Sequence, residues 1–146
     1  SQGTDAQIAD LLPRLKRGEV IGCYAQTELG HGSNVAGLET TATYVPETDE
    51  IELHSPTLTS TKWWIGALGC TATHAVVMAR LIVGTKDHGI HGFLTQIRST
   101  TTHKPLPGIF VGDIGPKLGF TTVDNGFLRL CRVRLPRTAL LARHAR

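Results

Sequence analysis

The alternation of apolar and polar positions changes period once along this chain, near residue 18. Before that point Ile8, Leu11, Leu12 and Leu15 recur at the spacing of one helix face, and Thr4 or Asp5 stands where a cap belongs. The pattern predicts a helix over 4–17, kinked or cut short at Pro13 and closed by Gly18. Beyond it the period is two. Glu19 to Gln26 reads as a first strand, carrying Val20, Ile21, Cys23 and Tyr24. In 37–45, Leu38, Thr40, Ala42 and Tyr44 share one face and Glu39, Thr41 and Thr43 the other. Pro46 to Asp49 is turn chemistry, and Glu50 to His54 returns as a hairpin partner. Pro56 interrupts, and Leu58 to Ile65 begins another strand.

The second half repeats the pattern. Residues 66–69 form a glycine-marked corner, and His74 to Val83 is the most apolar run, β-branched enough to read as a buried strand. Gly89 to Ile97, Ile109 to Val111 and Gly126 to Leu135 follow as strands, with a two-proline loop over 100–108 and a turn at 124–126. Many short strands punctuated by glycine and proline, without long alternating helices, predict an all-β fold. The expectation is a small antiparallel β-barrel or sandwich with a short N-terminal helix. The missing crossover helices exclude a doubly wound nucleotide fold.

Composition narrows the picture further. At 146 residues, 40% hydrophobic and 18% charged, the chain is long enough for one core and unlike a disordered segment. No apolar run approaches the roughly 20 residues of a membrane span. The formal charge of +3, gathered late at Arg129, Arg132, Arg134, Arg137, Arg143 and Arg146, permits an anionic ligand without calling for nucleic acid. Cys23, Cys70 and Cys131 are odd in number and widely spaced, giving no disulfide framework and no zinc spacing, which fits a reducing compartment. No secretory signal stands at the start and no targeting tripeptide at 144–146.

Candidate chemistry concentrates in two places. Cys23 to Ser33 starts as a strand and breaks into a loop with Gly30 and Gly32, where Thr27 and Ser33 stand close to accessible backbone. Such a loop is either an ordinary turn or a seat for a flat, polar-edged cofactor or a phosphate. Glu28 within it is expected to support the loop by hydrogen bonding while staying solvated and ionised. Trp63-Trp64 ends a strand, so one ring is expected in the core and the other against a ligand, with Gly66 letting a flat ring reach the backbone. The series Gly112, Gly115, Gly119 reads as turn rather than dinucleotide fingerprint. His88 and His91, on opposite faces of a strand, make no metal site, and no metal is assigned.

Taken in order, Cys23-Tyr-Ala-Gln-Thr-Glu-Leu-Gly-His-Gly-Ser33, Gly37 to Thr43, Lys62-Trp-Trp64 with Gly66, His103-Lys-Pro-Leu-Pro-Gly108 and Val111 to Lys117 resemble the peroxisomal acyl-CoA oxidases. The similarity runs over nearly the whole chain. The Thr-Glu-x-x-x-Gly-Ser core is shared with the wider acyl-CoA dehydrogenase family, and the surrounding residues single out the oxidases. The resemblance implies the middle β-barrel of a longer enzyme, 19–138, with the end of a preceding helical domain over 1–18. Residues 139–146 would begin a connection to a C-terminal helical domain.

It further implies FAD as cofactor and acyl-CoA as substrate. The Cα–Cβ bond is oxidised to a trans-2-enoyl-CoA and molecular oxygen is reduced to hydrogen peroxide, in fatty-acid β-oxidation, by a peroxisomal homodimer. By position, Thr27 would hydrogen-bond the flavin ring and Gln26 line the same edge. Trp64 would wall the isoalloxazine, and Gly66 would bring backbone up to it. Gly32 would meet cofactor phosphates and Ser33 the CoA arm. Gly66 replaces the hydroxyl residue that the dehydrogenases carry there. A hydrogen bond from Thr27 to a charged reduced ring is worth about 1.5–3 kcal/mol. The family's catalytic base, a glutamate of the C-terminal domain, has no counterpart in this chain, so no catalytic residue is assigned. The chain alone is expected to be inactive and to bind FAD weakly. Two other readings are a stand-alone β-barrel interaction module and a dehydrogenase domain serving a protein electron acceptor.

Overall fold

The computed structural model describes residues 2–143 and is mostly β, with one helix at its N-terminal side. That helix, α1 (Asp5–Lys16), starts in a capping box: the Thr4 side chain accepts the Gln7 N–H, and the Gln7 side chain accepts the Thr4 N–H. The expected break at Pro13 does not occur. The helix runs through Pro13, which cannot donate to the turn before it, and stops before Gly18, at φ +72°. The Gln7 side-chain amide also donates to the Thr138 and Leu140 carbonyls, tying α1 to the last described residues.

The strands are β1 (Gly22–Ala25), β2 (Thr41–Val45), β3 (Glu50–His54), β4 (Lys62–Gly66), β5 (His74–Val83), β6 (Lys86–Gln96), β7 (Ile109–Asp113), β8 (Asn125–Leu130) and β9 (Val133–Pro136). β5 organises the larger, curled sheet. One edge pairs antiparallel with β6 along its length. The other edge takes β1 beside residues 74–77 and β2 beside residues 80–82, both parallel. β3 and β9 extend the sheet beyond β2. The wholly antiparallel arrangement expected from the short strands is therefore corrected to a mixed sheet. The reason is the 26–40 loop, which carries the chain forward along β5, so β1 and β2 lie along the same edge and run the same way. Side-chain alternation reports which face is buried, never strand direction.

β4, β8 and β7 make a second sheet, antiparallel throughout. The run expected as one strand over 126–135 is two. Cys131-Arg132 breaks it, with Arg132 at φ +49°, and β9 crosses to pair with β3 in the other sheet. The core lies between the sheets, with Leu53, Leu68, Val77, Phe93, Leu128 and Leu130 among its fully buried side chains. Residues 140–143 follow the short 3₁₀ turn Arg137–Ala139, and of the connection expected over 139–146 the last three residues lie outside those described.

Candidate cofactor site

The loop after β1 is seated on the start of β4. The Trp63 N–H donates to the Thr27 carbonyl (3.0 Å), the Leu29 N–H to the Thr61 carbonyl (2.8 Å) and the Gly30 N–H to the Thr59 carbonyl (3.0 Å). None of these bonds uses the Thr27 hydroxyl. β1 lies beside β4 and the Thr27 backbone is bonded to it, so Thr27 and Gly66 stand on neighbouring segments of the chain.

Glu28 and Lys62 hold the loop from within. Glu28 is 2% exposed and Lys62 fully buried, with Nζ 3.0 Å from Glu28 Oε1. The Glu28 carboxylate also accepts the Glu39 N–H, the Thr40 N–H and the Thr40 hydroxyl. Glu28 thus supports the loop as expected, but the expected solvation is corrected: its charge is met by backbone donors and an ammonium instead of water. Burial pushes the Lys62 ammonium down to about 8, against the opposing pull of Glu28.

The two tryptophans depart from simple alternation, and neither belongs to the core. A register shift in β4 between Lys62 and Ile65 separates their environments. Trp63 is half-buried and stacks on Phe127, ring centroids 6.4 Å apart. Trp64 takes φ +70° and leaves 47% of its surface exposed; its carbonyl accepts from the Asn125 amide, and Lys117 Nζ lies 5.9 Å from the ring centroid. A bulky residue with positive φ is uncommon and reflects a surrounding structure that overrides local preference.

The corner after Gly66 depends on two residues not singled out from the sequence. Arg98, 4% exposed, donates to the carbonyls of Leu68 (2.9 Å), Gly69 (2.7 Å) and Ala72 (2.7 Å). Asp124 accepts the N–H groups of Cys70 and Thr71, and its own carbonyl accepts the Ala67 N–H. Burial works against the ionised form of Asp124, yet bonds from Thr71, Cys70 and Gly69 outweigh it and hold the carboxyl below its ordinary range. The 124–126 segment expected as a turn instead braces this corner and starts β8. An arginine followed by a Ser/Thr run carries no spacing signal for such a role; the Asp-Asn-Gly sequence carried one but for different chemistry.

Of the remaining predicted residues, Gln26 is half-buried and its Oε1 accepts from the Tyr24 hydroxyl (2.6 Å). Gly32 and Ser33 are exposed, beyond the turn in which His31 and Glu28 exchange backbone hydrogen bonds. The structure thus gathers Gln26, Thr27, Trp64 and Gly66 on adjoining segments and sets Gly32 and Ser33 further along the loop. A separate apolar groove of about 650 Å³, lined by Leu29, Leu58, Trp63, Phe110, Phe127 and Arg129 among others, includes none of these six.

Residues 23–133 match the family described as acyl-CoA dehydrogenase, middle domain, and the chain belongs to that family. Within it the similarity is to oxidases. Peroxisomal acyl-coenzyme A oxidase 1 of Arabidopsis thaliana is 57% identical over 97% of this chain, and that of Homo sapiens 54% over 99%. The chain spans 22% of the length of each. Among solved structures, acyl-CoA oxidase-2 of Caenorhabditis elegans, bound with FAD, ascaroside-CoA and ATP, superposes with a TM-score of 0.96. It is 53% identical, covering 99% of this chain and 22% of that one.

The surface around Trp64 suits a flat group such as a flavin. A Cβ built on Gly66 or on Gly32 meets nothing within 4 Å, so the backbone is open to close approach at both. The exposed indole supplies an aromatic wall beside Gly66, and Thr27 lies across the neighbouring segment.

Proposed function

We propose that this chain is the flavin-holding β domain of a peroxisomal acyl-CoA oxidase. Residues 19–138 would form that domain, following the end of a helical domain over 1–18 and leading through 139–146 to another. When bound, FAD would supply the redox chemistry: an acyl-CoA loses one hydrogen from Cα and one from Cβ, two electrons and two protons in all, to give the trans-2-enoyl-CoA, and oxygen takes up two electrons and two protons to give hydrogen peroxide. The chain's own part is orientation and electrostatics. Thr27 offers a hydroxyl to the ring edge with Gln26 beside it, Trp64 walls the ring, and the Gly66 backbone approaches it. Gly32 faces the cofactor phosphates and Ser33 the CoA arm. A preorganised donor stabilises charge that develops on the ring without reorganising at the moment of reaction. The substrate, oxygen, the homodimer and the peroxisomal setting belong to the same proposal, which draws on the names of the relatives.

One observation carries this reading. Thr27 is bonded through its backbone to β4 at the point where that strand turns an indole outward and leaves an open glycine two residues later. Titration of FAD into the chain, followed by flavin fluorescence, tests it. Weak but saturable quenching is expected, and Thr27→Val weakens it about 10-fold, the loss of one hydrogen bond to a polar ring. Enoyl-CoA production by the chain alone stays at background. Absence of quenching at millimolar FAD, or a Thr27→Val variant that binds as the parent does, overturns the assignment.

A further inference from the structure

We infer that Lys62 is the positioning residue that aims the Thr27 hydroxyl, acting through the Gln26–Thr27 peptide; this rests on the flavin reading above. The Lys62 ammonium has three N–H donors and meets three acceptors: the Gln26 carbonyl (3.0 Å), Glu28 Oε1 (3.0 Å) and the Met78 carbonyl of β5 (2.6 Å). The Gln26 carbonyl belongs to the peptide plane whose N–H is that of Thr27. Binding it fixes the rotation of that plane. The next plane, carrying the Thr27 carbonyl, is fixed by the Trp63 N–H. Consecutive residues of β4 therefore hold the two peptide planes on either side of Thr27, and the residue after them presents the exposed indole. Those planes set the direction of the Cα–Cβ bond, and the stiffness of a β-branched side chain about χ1 then limits where the hydroxyl can stand. Glu28 completes the device by holding the third ammonium proton and binding the 39–40 backbone.

A buried ion pair is a poor source of stability, because desolvation offsets much of the attraction, and well-packed apolar replacements are often no less stable. Its geometric consequence for Thr27 is the better account of its presence. The groups facing Lys62 are Glu28 from the loop, the Met78 carbonyl from β5 and Leu128, its partner on β8; Glu39 and His31 approach Glu28 on its other side. The ammonium's descent to about 8 supplies an independent handle. Deprotonation leaves two donors for three acceptors and loosens the Gln26 plane. The folded-state value lies below the ordinary one, so the same change raises global stability as pH climbs from about 8 towards 10.5. Cofactor affinity and stability should therefore move in opposite directions.

The test is a cycle in the 146-residue chain. FAD affinity is measured for the parent, Thr27→Val, Lys62→Met, Glu28→Gln and each of the last two combined with Thr27→Val, with circular dichroism and melting recorded for all. Lys62→Met leaves Glu28 without its ammonium and is expected to lower the melting temperature, to weaken FAD about 10-fold while the folded spectrum persists, and to make Thr27→Val cost little more in that background. Glu28→Gln, which keeps shape, shows the same coupling. In the parent, affinity falls between pH 7 and 9 while the melting temperature does not, and Thr27→Val flattens that fall. Equal Thr27→Val losses in all backgrounds, or an affinity flat with pH in the parent, overturn the inference while leaving flavin binding intact. If neither background variant folds, the parent pH series and its Thr27→Val control decide the matter. A parent chain that fails to bind FAD overturns the flavin reading itself, and the inference with it.

Discussion

Cys23, Cys70 and Cys131 share one side-chain chemistry and sit in different surroundings. Burial pushes the Cys23 thiol up to about 11, with Arg98 pulling weakly the other way, whereas Cys70 and Cys131 are exposed. Thiolate is the reactive form, so at pH 8 a disulfide-exchange reagent should release two equivalents quickly and the third only on denaturation. Three fast equivalents would contradict the burial of Cys23. At this scale the sequence was readable where a residue acts through its own shape and opaque where it acts through charge. Gly18 and the Thr4 cap were visible as helix ends. The burial of Glu28 was not, because the ammonium that meets it lies 34 positions away and nothing in local spacing joins them. Arg98 was silent for the same reason: its three carbonyl partners are presented by a corner 26 to 30 positions earlier.

The existence of most strands was legible and their starts often were not: the strand expected from Gly37 follows a 3₁₀ turn and begins at Thr41, and the one expected from Leu58 begins at Lys62, because the residues before each belong to the loops that seat the 26–40 segment. β3 and β5 fall where turn residues and β-branching placed them. The break between β8 and β9 has neither glycine nor proline at Cys131-Arg132, so a change of sheet looked like one continuous strand. Arg132 there adopts φ +49°, a region that costs an ordinary residue about 1–2 kcal/mol and glycine almost nothing. Glycine also adds freedom to the unfolded chain, which offsets part of the gain. Arg132→Gly should raise the melting temperature by about 2–4 °C in thermal unfolding, the response expected of a chain this size to about 1 kcal/mol. A lower melting temperature would show that the arginine side chain contributes more than its backbone costs. The parallel pairing of β1 and β2 with β5 was likewise unreadable, since it follows from where the 26–40 loop travels.

For the molecule as a whole, family membership was the most legible property, because several motifs in fixed order specify it more tightly than any pattern of strands. The mixed sheet was the least. One further property follows from the two ends of the described chain. The Arg143 N–H donates to the Gln2 carbonyl (3.0 Å), its guanidinium reaches the Gly3 carbonyl (2.7 Å) and pairs with Asp5, and Gln7 bonds the 138 and 140 carbonyls. Entry and exit thus share one doorway, and the polypeptide is topologically close to a ring. A short linker across that doorway, with a new opening between the exposed Leu118 and Gly119, leaves every strand uncut. Such a permutant should keep the far-ultraviolet spectrum and cooperative melting of the parent. It would collapse only if the order in which the strands are synthesised, rather than their contacts, decides the fold. The same closed outline makes the domain a cassette: it can be carried within a longer polypeptide with its neighbours on both sides meeting at a single seam.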